Sequence, residues 1–150
     1  MTSQLNVDTI VDKAGTGGAT LSKPTITEMA NTSTYVSDGG NVTQNTVQGL
    51  AKAWVHTDMV GTAAILDSFN IGSLTDSGSG TFAHTFSNNM AGADRYAMTG
   101  MTGATDGNGN DHCLFSRAAP TANGMSILVT ANNAAIDRPD NFIVVHGDLA

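Results

Sequence analysis

The chain has 150 residues and a mass of 15.3 kDa, with 13% charged and 5% aromatic residues, 17 glycines against 3 prolines, and a net charge of −7. Its six bases (Lys13, Lys23, Lys52, Arg95, Arg117, Arg138) are scattered and form no concentrated cationic footprint, which argues against a nucleic-acid binder. No window approaches the roughly 18 apolar residues of a membrane helix and no basic leader opens the chain, so the sequence predicts a protein made soluble in the cytoplasm.

Residues 2 to 26 place Leu5, Val7 and Thr9 on one parity, broken by Ile10, before the turn "AGTGGAT" and a short run containing Leu21 and Ile26. The turn lacks the G-x-x-x-x-G-K-[ST] spacing of a phosphate loop and no amphipathic helix follows it, so it reads as a plain turn. Residues 27 to 50 carry few sizeable apolar groups and cannot make a core of their own. Residues 1–50 are therefore expected to form an extended N-terminal anchor and stem that needs neighbouring chains.

From residue 51 the pattern tightens. "AKAWVHT" alternates Ala53, Val55 and Thr57 against Trp54 and His56; "GTAAIL" leads on to "SFNIGSL"; "GTFAHTF" puts Phe82, His84 and Phe86 on one face. "RYAMTGM" places Tyr96 and Met98 on a face, and "HCLFS", "MSILVTAN" and "NFIVVHG" follow. Short strands with turn signals about every 8 to 12 residues predict an all-β fold, an antiparallel β-sandwich over residues 51–150. Between two of these strands, "TDSGSG" supplies turn hydrogen bonds and positive φ rather than reactive groups.

Candidate chemistry is sparse. Asp106, Asn108 and Asn110 alternate, with Asp111 following, in the manner of a calcium loop, yet the sixth and twelfth positions of that loop are Asp111 and Arg117 where an EF-hand takes Gly and Glu. His56, His84, His112 and His146 show no H-x-H or H-x-x-x-H pairing and read as strand histidines. Cys113 has no second cysteine to pair with and reads as a small buried apolar residue. Asp137 and Asp140 flank Pro139 in a loop, and the predicted β-domain contains no Glu, which does not suit a glycan-cleaving carboxylate pair. The sequence thus predicts no catalytic residue, cofactor or metal. Recognition instead falls to the 103–111 and 132–141 loops, with Asp106, Asn108 and Asn110 as candidate receptor contacts.

The stretch from Ala51 to Met101, with its entry "AKAWV", the run "SFNIGSLTDSGSGTFAHTF" and "NNMAGADRYAM", resembles a module of tail fibres and related virion proteins of tailed bacteriophages, of the type found in marine and freshwater phages. "LNVDTIVDKAGTGGATL" is similar to the strand-turn elements at the anchoring end of such fibres. The resemblance implies a jelly-roll-like homotrimer in the virion, assembled in the host cytoplasm. It also implies an N-terminal segment around Leu5, Val7 and Ile10 docked to a tail, baseplate or capsid protein, and a host-surface glycan or protein as the distal partner. A head fibre, a capsid decoration protein and a non-viral carbohydrate-binding module are the competing readings.

Overall fold

The computed structural model describes residues 25–26, 28–30, 33–36, 43–103 and 113–150. The chain divides into two compact units, Met1–Ala30 and Asn31–Ala150. In the first, the described residues carry no regular structure, and Ile26 and Met29 are exposed.

Among its described residues the second unit is all-β apart from one helical turn. Its elements in chain order are β1 (Thr34–Val36), β2 (Thr43–Asn45), α1 (Thr46–Gly49), β3 (Ala51–Asp58), β4 (Ala64–Phe69), β5 (Ile71–Asp76) and β6 (Thr81–Phe86). They continue with β7 (Tyr96–Thr102), β8 (Cys113–Ser116), β9 (Gly124–Ala131), β10 (Ala134–Ala135) and β11 (Asn141–Gly147). Strands β1 and β2 pair as a small hairpin, and the rest form two antiparallel sheets, one ordered β4-β3-β11-β7 and the other β10-β9-β6-β5 with β8 on β9.

Alternation decides which side chains meet between the sheets. From the first sheet come Ala53, Val55, Ile143 and Val145; from the second come Phe82, Phe86, Met125, Ile127 and Val129, all buried in one cluster with Met59 and Met90. Period-two strands send alternate residues to opposite faces, so this cluster is the inner face of both sheets. The expected faces Ala53/Val55/Thr57 and Phe82/His84/Phe86 are the buried ones. Phe86 meets the Tyr96 ring edge-on at 5.6 Å, and the Tyr96 hydroxyl donates to the Gly124 carbonyl at 2.9 Å, tying β7 of one sheet to β9 of the other. Burial raises the Tyr96 pKa above the usual phenol value.

The run "SFNIGSL" is not one strand, contrary to its apparent alternation. It breaks at Asn70, whose φ of 58° lies in the left-handed region that Asn tolerates better than most residues. There the chain leaves the edge of one sheet and enters the edge of the other. The Asn70 side chain holds this corner: its Oδ1 accepts from the Asn88 backbone N–H at 2.6 Å, and its Nδ2 donates to the Lys52 carbonyl at 3.0 Å.

The turn after β5 behaves as its composition suggests. Asp76 Oδ1 accepts from the Gly78 amide at 2.9 Å, while Gly78 and Gly80 take φ of 109° and 64°. At Gly80 a side chain is also barred by space, since a Cβ would lie 2.5 Å from the Val129 carbonyl oxygen. Asn132 and Asn133, with φ of 50° and 62°, make the two-residue turn between β9 and β10, the conformation that suits the twist of paired strands.

Asn141 is a buried polar hub. Its Nδ2 donates to the carbonyls of Thr57 at 3.1 Å and Arg138 at 2.8 Å, and its Oδ1 accepts from Thr102 Oγ1 at 2.9 Å. Since Asn141 is fully buried, an Asn141→Ala chain is expected to lose about 2 kcal/mol of stability by stranding these groups. Urea unfolding, with a lowered midpoint at unchanged slope, checks this.

Candidate functional site

With Ala53, Val55 and Thr57 turned inward, Trp54 and His56 are carried outward on β3, and the strand register aligns them with partners from all four strands. One rung across the outer face reads Phe69, Trp54, Val144, Thr99; the next reads Asp67, His56, Phe142, Met101. A β-bulge opposite His56 and Thr57 inserts Leu66 as the extra residue of β4.

This face is unusual in what it leaves in water. Met101 is 67% exposed, Leu66 54%, Phe69 53% and Phe142 40%. The strands of the other sheet have no exposed large apolar group among the described side chains. Their outward positions include Ser73, Thr75, Thr85 and Ser126, with Ser73 and Thr85 hydroxyls 2.7 Å apart. An antiparallel sheet normally turns such a polar face to solvent. Among the described side chains the second sheet does so, with Leu128 half-buried on that face, and the first sheet does not.

The apolar face has an ordered centre. His56 stacks on Phe142 with ring centroids 4.2 Å apart and planes at 22°, and its Nε2 lies 3.0 Å from Asp140 Oδ1. The carboxylate fixes the imidazole, and the imidazole in turn supports the phenyl ring. Beside the stack lies a shallow depression of about 300 Å³ lined by Trp54, Asp67 and Val144 among others. A second, of about 310 Å³, lies between Met101 and Phe142. On the opposite sheet a hollow of about 260 Å³ is lined by small residues such as Ala83, Thr85 and Ser126.

His84 sits at the other extreme of environment. It is buried between the sheets, with Nε2 3.0 Å from Thr57 Oγ1 and its ring edge-on to Phe82 at 5.4 Å. Burial lowers its pKa to about 4, so the ring is neutral at neutral pH and acts as a packing group.

The residues singled out from sequence distribute unevenly. Leu5, Val7 and Ile10, and Asp106, Asn108 and Asn110 with His112, lie outside the described residues. In the 132–141 stretch Asp137 accepts from the Gly80 amide at 2.6 Å and Asn141 is the buried hub described above, while Asn132 and Asn133 are exposed at the turn. Among the described residues no group of three His, Cys, Asp or Glu side chains is placed to hold a metal ion, and no helix is long and apolar enough to cross a membrane. The outer face of β4-β3-β11-β7 was not singled out by sequence, although Trp54 and His56 at alternate positions of an apolar strand were its visible signal. No protein-family model, curated protein or solved structure matches the chain.

Proposed function

We propose that the chain is a structural protein of a bacteriophage virion: a short homotrimeric tail fibre with a jelly-roll-like β-domain, anchored by its N-terminal segment and serving host-surface attachment. The observation that carries this reading is the one-sided apolar face. A monomer that keeps Phe69, Phe142, Met101 and Leu66 together in water carries a large interaction patch on one side. A subunit of an assembly covers it. The low content of charge and the fibre-like stretch from Ala51 to Met101 support the same reading.

In this role the protein is non-enzymatic and needs no cofactor. Its partners are further copies of itself, a tail, baseplate or capsid protein reached through the segment around Leu5, Val7 and Ile10, and a glycan or protein on the host surface. Gold-labelled antibody is expected to decorate the tail of intact virions. Label on the head would make the chain a head fibre or decoration protein, and virions free of label, with binding on a glycan array, would make it a carbohydrate-binding module. A chain lacking residues 1–25 is expected to keep a folded β-domain while failing to join the virion, as read by circular dichroism and by immunoblot of purified particles; normal incorporation would place the anchor elsewhere.

A further inference from the structure

Resting on the trimeric reading above, we infer that copies of this chain associate through the outer face of the β4-β3-β11-β7 sheet, with the β4 side of one copy against the β7 side of the next.

The extent of the patch fits a protein partner. Leu66, Phe69, Met101 and Phe142 are each about half exposed, which leaves roughly 100 Å² apiece and about 400 Å² together. A standard interface takes about 800 Å² from each partner and is a little over half apolar. The patch therefore supplies the apolar part of such a face, and the surrounding polar groups supply the rim. Its residue types match as well, since aromatic side chains and Met are enriched in interface cores.

The layout of the strip selects the arrangement. It crosses all four strands of the sheet, and its two ends differ. At the β4 end stand Phe69 and Leu66; at the β7 end stands Met101. A closed ring of three is built from heterologous contacts, in which one patch meets a different patch on the next copy. An aromatic end and a thioether end are complementary in that sense, because sulfur packs favourably against aromatic rings.

A saccharide suits this face less well. Sugar recognition needs several hydrogen-bonding groups around the stacking ring; Asp140 is engaged by His56 at 3.0 Å, which leaves the exposed Asp67 as the other carboxylate at the depression, one of its oxygens accepting from the Ser68 amide at 2.8 Å. The depression of about 300 Å³ is at the lower limit of ligand pockets, whereas exposed Leu66 and Phe69 extend the apolar surface to the β4 edge of the sheet.

Light scattering and cysteine cross-linking test the assignment. The full-length parent is expected at about three times the 15.3 kDa chain mass. Phe69→Asp, an exposed position whose fold is checked by circular dichroism, should weaken association by at least about 30-fold, as truncation of an interface hot spot does. In a Cys113→Ser background, Phe69→Cys with Met101→Cys should oxidise to covalent trimers, while either introduced cysteine alone should leave the chains unlinked. A trimeric parent whose Phe69→Asp form stays trimeric would overturn the surface and leave the trimer standing. Disulfide-linked dimers from Phe69→Cys alone would replace the ring by a twofold contact and overturn the arrangement. A parent that is monomeric at all accessible concentrations would overturn both the surface and the trimeric reading.

Discussion

Replacing Phe82 by alanine is expected to cost about 3 to 5 kcal/mol, the range for emptying a buried phenylalanine site. Phe82 is fully buried, is paired with Ile127 in β9 across the sheet, and packs edge-on to His84. The ring therefore fills space that both sheets border, and backbone hydrogen bonds on both sides of β6 hinder collapse of the vacancy. Against a total stability of roughly 5 to 15 kcal/mol, such a loss leaves the domain marginal or unfolded at ambient temperature. Phe86→Ala belongs to the same class, with the added loss of the ring that orients Tyr96. Phe69→Ala provides the contrast, because its side chain is 53% exposed and most of its transfer free energy is not realised within one chain. Urea unfolding of the three variants below their association concentration should separate Phe82 and Phe86 from Phe69 by a factor of about three or more; equal midpoints would mean the inner and outer faces are misassigned.

Acidification is expected to weaken the domain through His84. The imidazole pKa is about 6.5 in an unfolded chain and about 4 when folded, because burial disfavours the charged ring. Between these values the unfolded state binds more protons, so stability rises with pH across the window and is lost as pH falls. The full span corresponds to about 3 kcal/mol. The stabilising neutral form is favoured above pH 6.5, and the loss is complete once pH drops through about 4. Urea midpoints measured at intervals from pH 7 to pH 4 should trace this fall. His84→Gln, which keeps a hydrogen-bonding group near Thr57 without a titrating ring, should flatten the upper part of the curve before the carboxylates begin to protonate. An unchanged pH profile in that variant would remove His84 as the cause.

The inner faces were legible in the sequence because a period of two needs no knowledge of neighbours. Ala53, Val55 and Thr57, or Phe82, His84 and Phe86, identify the buried side of their own strand. Two things were not legible. The break at Asn70 was masked by apolar residues continuing on both sides of it, and only its left-handed φ marks the corner. The apolar strip required register: Phe142 and His56 are far apart in the chain and become cross-strand partners only when β11 pairs with β3. Single-strand periodicity cannot show that Phe69, Trp54 and Val144 form a rung, because the information lies in which strands are adjacent.

That adjacency governs how the protein is made. Strand β11 occupies a central place between β3 and β7, yet in chain order it follows every other described strand. Until residue 147 has emerged from the ribosome, β3 and β7 have no strand to join them, and the apolar inner face of that sheet waits without its middle. Pairing across such a sequence separation is slow, since a long loop must close before any contact rewards it. The nascent chain therefore passes through an interval in which the inner face of β3 lacks its central neighbour, the kind of transiently exposed apolar surface that favours aggregation.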